Sequence, residues 1–427
     1  MKNINRAAAV AAFALLFSGF AFSQAVFNVV NVPGSVPDSL IAINNSSQVV
    51  VNGGSGGSSR ISVWGRIGGG QSIAFSGNNN IATAINNSGE VVGAGVAGNS
   101  SPLQAFVWQP TDPPQWAGSL GGGLSAATGL NDSGAFVGFS YTASYAQHAF
   151  LSTLAGGMQD LTPDLTGVGG ATAEAINSTN EVVGYYFPNG SLKPLGFIWT
   201  QAAGLQNLGA PGTLAFAVND AGTIVGQAPV SNGYRHAFSW TEASGFQDLG
   251  TLGGEESSAL SINRLGWVVG TSLTTSQNGY LHGFLWIPGA GMQDLNVLAK
   301  LAAKNQQTYS VQVNDAGVVA ISTNVSSYLL IPKMTAKLTS SLNPAVAGQP
   351  VTFTVTVTSL AGAPPDGETV QFSANGSVIG SGTLQAGVAQ YTTSALPVGK
   401  DPVQASYVGD TNYLAVSSTA LTEVVNP

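Results

Sequence analysis

The sequence predicts an all-β protein: a seven-bladed β-propeller of four-stranded blades, closed by an N-terminal strand, followed by a C-terminal Ig-like β-sandwich. Three observations predict it. An asparagine recurs at Asn44, Asn86, Asn131, Asn177, Asn219, Asn263 and Asn314, at intervals of 42, 45, 46, 42, 44 and 51 residues. Each copy holds short apolar runs of strand length parted by turns, as in Ala215–Gly254, and a period near 44 with four such runs is the content of one blade. After Pro332 the period ends, and hydroxyl-rich alternation such as Val-Thr-Phe-Thr-Val-Thr-Val-Thr at 351–358 takes over.

Composition agrees with strands and tight turns. Of 427 residues, 7% are charged, 44% are hydrophobic and 56 are glycine, which excludes a disordered chain. The formal charge of −8 excludes a general binder of nucleic-acid backbone, which needs a basic footprint. Cysteine is absent, so packing must supply the stability.

Residues 1–23 read as a signal peptide. Lys2 and Arg6 precede the apolar run Ala7 to Phe22, and Ala21-Phe22-Ser23 has a small-x-small cleavage pattern. That run is short for a bilayer span, and no later run is long and apolar enough. The expectation is an exported protein, extracellular or at the cell surface, with no transmembrane segment in the mature chain.

Within the repeat domain, residues 24–333, a glycine stands seven residues after five of the asparagines, at Gly93, Gly138, Gly184, Gly226 and Gly270, whereas Val51 and Ile321 stand there in the end copies. Tryptophans recur at Trp64, Trp108, Trp199, Trp240 and Trp286, with Ser152 in the third copy. Two positions before these sit Phe106, Phe150, Phe197, Phe238 and Phe284. Phe-x-Trp alternation points both rings to one side of a strand, so the tryptophans are expected as core between blades. Turns such as Asn131-Asp132-Ser133-Gly134 and Asn219-Asp220-Ala221-Gly222 have the chemistry of short hairpins. The seventh copy stops after three runs, so Val26–Val32 is expected to pair with Tyr328–Ile331 and complete the last blade.

Residues 335–427 carry further runs at 369–374, 377–384, 387–394, 403–409 and 416–425, the size and pattern of an immunoglobulin-like sandwich.

Two family resemblances follow. The pattern seen at Ala82–Gly93, His236–Trp240 and Met158-Gln159-Asp160-Leu161 resembles the HAF repeat of extracellular bacterial proteins, over roughly residues 40–330. The first and seventh copies depart from it. Residues 340–425 resemble a bacterial Ig-like repeat domain, through Asn343-Pro344, Gly348–Phe353 and Tyr407–Tyr413. Both resemblances imply secretion or surface display, and neither brings a catalytic site.

Motifs with chemistry are few. His148, His236 and His282 occupy one repeat position on different blades, so they cannot converge on one metal ion. Gly53-Gly54-Ser55-Gly56-Gly57 has the nucleophile-elbow form and Gly93–Gly98 the dinucleotide form, but neither has the helix that its chemistry needs. The Asn-Asp-x-Gly turns offer one carboxylate each, too few for calcium. No catalytic residue, cofactor or metal site is predicted. Off-pattern tyrosines remain: Tyr141, Tyr145, Tyr185, Tyr186, Tyr234 and Tyr280 fall in or beside the loops between second and third strands, hence on one face. Tyrosine joins a large apolar face to a hydroxyl, which suits carbohydrate or protein contact. The expectation is a monomeric, non-catalytic interaction protein that binds an extracellular glycan or protein through this face. A polysaccharide-acting propeller enzyme and a structural spacer are the alternatives.

Overall fold

The structure is a computed structural model that describes residues 25–33, 40–53, 60–75, 77, 79–98, 101–165, 170–275, 279–301 and 306–427. The leader expected at 1–23, and all of the elbow-like motif after Gly53, lie outside the described residues. Contacts divide the chain into two compact units, built on Val29–Leu330 and on Ile331–Pro427, the latter taking Val26–Asn28 with it.

The first unit is nearly all β. Six consecutive four-stranded antiparallel meanders begin at Leu40–Ile43, Ile81–Ile85, Gly121–Leu130, Ala171–Ile176, Leu214–Val218 and Gly253–Ile262. A seventh sheet holds Thr308–Val313, Val319–Thr323 and Ser327–Pro332, and its fourth strand is the N-terminal Phe27–Asn31. Val32 N–H donates to Ser327 O at 3.0 Å at one end of that pairing. The chain's leading strand therefore supplies what the seventh copy lacks.

The recurring asparagine explains how the sheets are joined. It closes the turn between the first and second strands, and all seven copies are buried. In the fourth sheet Asn177 Oδ1 accepts from Thr179 N at 3.1 Å and Glu181 N at 2.9 Å, an Asx turn. Its Nδ2 reaches out and donates to the backbone oxygen of Asn219, in the next sheet, at 3.2 Å. The same donation runs from Asn44 to Asn86 O, then to Asn131, Asn177, Asn219, Asn263 and Asn314 O, at 2.9–3.2 Å. Asn314 Nδ2 returns it to Asn44 O at 3.1 Å, across 270 residues. The first strands of the sheets thus adjoin in a cycle.

The repeated glycine has a steric cause. In sheets two to six each first strand carries a one-residue bulge three positions before its asparagine, at Thr83, Thr128, Glu174, Phe216 and Leu260. A bulge bends the strand and pushes one carbonyl toward its neighbour. A Cβ at Gly93, Gly138, Gly184, Gly226 or Gly270 would overlap that carbonyl, which belongs to Ile81, Ala126, Thr172, Leu214 or Ser258. The first sheet has the same bulge, at Ile41, yet carries Val51 opposite Leu40, and the seventh has its bulge at Tyr309 and carries Ile321 opposite Val311, so the close carbonyl and not the bulge alone calls for glycine.

Neighbouring sheets share their cores. Ile61, Val63 and Ile73 of the first sheet pack on Phe106 and Trp108 of the second, and Val225 and Leu249 of the fifth pack on Val268 and Phe284 of the sixth. Phe106, Phe150, Phe197, Phe238 and Phe284 are fully buried. The tryptophans are less uniform: Trp108 and Trp199 are buried, whereas Trp64, Trp240 and Trp286 are half-buried.

The second unit is a sandwich. Met334–Ser340, Val351–Ser359 and Val388–Thr393 form one sheet, and the other centres on Leu421–Asn426, Gly399–Tyr407, Thr369–Ala374 and Ser377–Thr383. Val351, Phe353, Val355 and Val357 alternate inward, as the 351–358 pattern predicts.

Two outcomes test this construction. Deleting residues 26–32 leaves an open strand edge on the seventh sheet and should lower the melting temperature of the repeat unit, read by calorimetry. Phe238→Ala should cost about 3–5 kcal/mol in urea unfolding, and Trp240→Ala clearly less, because only the phenylalanine is fully buried.

Candidate functional site

A meander has two ends, and here they differ in chemistry. At the asparagine end, Ile43, Ile85, Leu130, Ile176, Val218, Ile262 and Val313 and the asparagines after them line a cavity of about 240 Å³. Its rim is Asn45, Asn87, Asp132, Ser178, Asp220, Arg264 and Asp315. Rim side chains accept from backbone N–H groups of the preceding sheet: Asn87 N to Asp132 Oδ1 at 2.9 Å, Ser178 N to Asp220 Oδ1 at 2.9 Å, Arg264 N to Asp315 Oδ1 at 2.8 Å. These carboxylates are engaged in joining sheets. Among the described residues no group of three or more His, Cys, Asp or Glu is placed to hold a metal ion.

A larger cleft of about 510 Å³ lies between the fourth and fifth sheets, lined by Glu181, Gln206, Asn207, Trp240 and Glu242 among others. Its Trp240 is one of the half-buried rings, so one of the tryptophans expected as core also borders open space.

The three histidines have a common role. His148 Nδ1 faces Asp160 at 2.7 Å, His236 faces Asp248 at 2.9 Å and His282 faces Asp294 at 2.8 Å, each acid lying 12 residues on in the same sheet. Third and fourth strands are thereby pinned together, and the histidines stay in separate sheets.

At the opposite end sit the tyrosines. The hairpins there are short, since the second strands run on to Thr142, Pro229 and Thr274. Tyr141 pairs with Gln147, and its hydroxyl donates to Gln147 Oε1 at 3.4 Å. Gln147 Nε2 donates onward to Thr172 Oγ1 at 3.1 Å, in the fourth sheet. Thr172 pairs with Tyr185, whose phenol is raised by burial and by the nearby Glu174 carboxylate. One polar path therefore joins Tyr141, Gln147, Thr172, Tyr185 and Glu174.

The other tyrosines are placed differently. Tyr145 stands in the Thr142–Ala146 turn at positive φ, 78% exposed. Tyr186, one residue past Tyr185, points the other way along the strand and packs on Phe197, ring centroids 6.4 Å apart. Tyr234 is exposed, and its hydroxyl bonds to Glu255, which raises the phenol. Tyr280 precedes the third strand of the sixth sheet, its carbonyl accepting from Thr274 N at 3.1 Å.

Glu174 escapes a reading based on repeats. It occupies the bulge of a first strand, where the other sheets place Ile41, Thr83, Thr128, Phe216 and Leu260. All six are partly exposed and each follows a buried residue, so water reaches them. Protein atoms crowd Glu174 although water reaches it, and this burial pushes its carboxyl up to about 7. A charged residue among Ala-x-Ala runs was the available signal.

A pH prediction follows. The folded state keeps this proton up to about pH 7, whereas the unfolded glutamate releases it near 4.5. Folding therefore takes up a proton between those values, and stability should fall by roughly 2–3 kcal/mol as pH rises through them. Glu174→Gln should flatten that slope and be the more stable protein at pH 8, as read from urea midpoints at pH 4.5 and pH 8.

Residues 338–426 match the family model of the bacterial Ig-like domain (group 3). The HAF-type resemblance of the repeats finds no such support. A search of curated proteins gives no match. Among solved structures the chain is similar to puromycin hydrolase, at TM-score 0.50 and 11% identity, covering 81% of this chain and 60% of that one. It is also similar to the extracellular domain of a hybrid two-component system of B. thetaiotaomicron, at TM-score 0.46 and 9% identity, covering 94% and 59%. Streptogramin B lyase gives TM-score 0.44 at 11% identity, covering 72% and 99%. The chain thus spans about three fifths of the first two. At such identities the first of these likenesses speaks for a propeller-like fold alone.

Proposed function

We propose that the chain is an exported, non-catalytic binding protein in which residues 24–333 form a closed seven-bladed propeller and residues 335–427 an Ig-like module. The cycle of asparagine hydrogen bonds supports the ring. The ligand is an extracellular glycan or protein, taken up at the tyrosine end by a monomer without a cofactor. The observation that carries this is the path Tyr141–Gln147–Thr172–Tyr185–Glu174, which sets two phenols at adjoining sheet ends with a carboxyl near the second. Tyr145, Tyr234 and Tyr280 extend that surface, and Tyr186 supports it from the core side.

The same path disfavours catalysis. A tyrosine nucleophile or an acid–base pair needs a phenol that ionises readily, and burial and Glu174 raise Tyr185 instead. A second reading, a polysaccharide-acting enzyme, rests on the cleft where Glu181 and Glu242 lie beside Trp240. Glu181 there accepts from Asn177 Nδ2 at 2.6 Å, which favours a structural carboxylate.

Glycan and protein arrays probed with the full chain should give a ligand whose binding drops at least about tenfold, some 1.4 kcal/mol, in Tyr141→Ala and Tyr185→Ala. Trp240→Ala should leave it unchanged. Turnover on a polysaccharide panel that Glu242→Gln abolishes would establish the enzyme in its place, and no ligand on any array would leave the spacer.

A further inference from the structure

One junction between sheets stands open where another is tied shut. In each of the first six sheets the fourth strand carries a glutamine, at Gln71, Gln115, Gln159, Gln206, Gln247 and Gln293, opposite the third-strand residue just before the tryptophan position. Between the first and second sheets Gln71 Nε2 donates at 2.9 Å to the carbonyl of Pro110, two residues past Trp108, and that indole is buried. Between the fourth and fifth sheets the corresponding residues are Gln206 and Glu242. There Glu242 is exposed, Trp240 is half-buried, and the Gln206 side chain makes no hydrogen bond among the described residues. The tie is missing where the cleft of about 510 Å³ opens.

A second difference falls in the same space. In the second sheet both oxygens of Glu90 are engaged, Oε2 by Asn86 Nδ2 and Oε1 by Gln109 Nε2. Glu181 holds the same place in the fourth sheet, and its Oε2 accepts from Asn177 Nδ2 at 2.6 Å. Where the second sheet has Gln109 the fourth has Thr200, and Glu181 Oε1 has no partner among the described residues. Asn207, beside Gln206, accepts from Gly209 N through Oδ1 at 2.7 Å, which leaves its Nδ2 able to donate.

The cleft therefore sets amide donors and carboxylate acceptors beside one indole. A saccharide fits that mixture, because its hydroxyls both donate and accept while its ring C–H groups can lie on an aromatic face. No lysine, arginine or histidine lines the cleft, so a phosphate, sulfate or uronic acid would meet two carboxylates and no cation. Its volume lies in the range of ligand pockets, roughly 300–1,000 Å³.

We propose that this cleft binds a neutral saccharide, with Trp240 against a sugar ring and Gln206, Asn207, Glu181 and Glu242 on its hydroxyls. The site is separate from the tyrosine end and does not depend on it. It holds the sugar without cleaving it, since Asn177 fixes Glu181 as part of the frame.

Calorimetric titration of the full chain with neutral tetrasaccharides of glucose, mannose, galactose and N-acetylglucosamine tests this. At least one should bind, once per chain, and shift the indole N–H signal of Trp240, which Trp240→Phe identifies by its loss. Trp240→Ala and Gln206→Ala should each weaken binding about tenfold or more, and Trp240→Phe less than Trp240→Ala, because a ring remains. Tyr141→Ala and Tyr185→Ala should bind as wild type does, and oligogalacturonate should not bind. No binding of any of these neutral sugars up to about 10 mM would overturn the proposal. So would an affinity that survives both Trp240→Ala and Gln206→Ala. Binding kept in those two variants but lost in Tyr141→Ala or Tyr185→Ala would overturn it while supporting the tyrosine end, so the two readings fail separately. Cleavage of the sugar that Glu242→Gln abolishes would replace the binding site with an active site. Should Trp240→Ala fail to fold, Gln206→Ala decides, since that side chain is exposed and outside the core.

Discussion

One carboxamide per repeat does two jobs, and the first unit depends on both. The oxygen of each recurring asparagine holds its own first hairpin, and the nitrogen reaches the backbone of the next sheet. Neither aspartate nor serine could replace it, because the position needs an acceptor and a donor at fixed separation. The bonds are buried, so each one lost would leave an unsatisfied group at a cost of about 1–3 kcal/mol. Around this frame the interval between asparagines varies from 42 to 51 residues without disturbing the chain of donations. Loop length is thereby uncoupled from sheet position, which leaves the tyrosine end free to vary.

The bulge couples the frame to whatever chemistry lies within the cycle. A glycine on the second strand makes room for the carbonyl two residues before the bulge, and the bulged residue is partly exposed. Its identity is free of the core: Thr83 and Thr128 use it to reach Ala127 O and Ala173 O in the neighbouring sheets, at 2.9 and 2.6 Å, whereas Glu174 brings an ionisable group. A position that no core contact dictates is where function can be placed without unfolding the sheet.

Much of this was legible in the sequence. The repeat, its four strands, the turn asparagine and the N-terminal strand's partner follow from spacing and alternation. Lateral bonding by the asparagine was not legible, because one sequence shows which residues recur and not which neighbour they touch. Phe238 and Trp240 look alike in a Phe-x-Trp pattern, yet only the phenylalanine is fully enclosed. The histidine–aspartate pairs carry a readable signal in the sequence, the shared separation of 12 residues. Glu174 stands out as a charge in an Ala-x-Ala run, but the bulge that sets it apart from the core shows only in the strand register.

The central claim is that asparagine side chains join the sheets in an unbroken cycle. Exchange of the side-chain amide protons of ¹⁵N-labelled asparagine tests it directly. The account predicts that the amides of Asn44 and Asn314 are protected as strongly as that of Asn177, and that all are lost together on unfolding. Fast exchange at Asn44 and Asn314 beside slow exchange at Asn131, Asn177 and Asn219 would mean an open stack of sheets, and would contradict it.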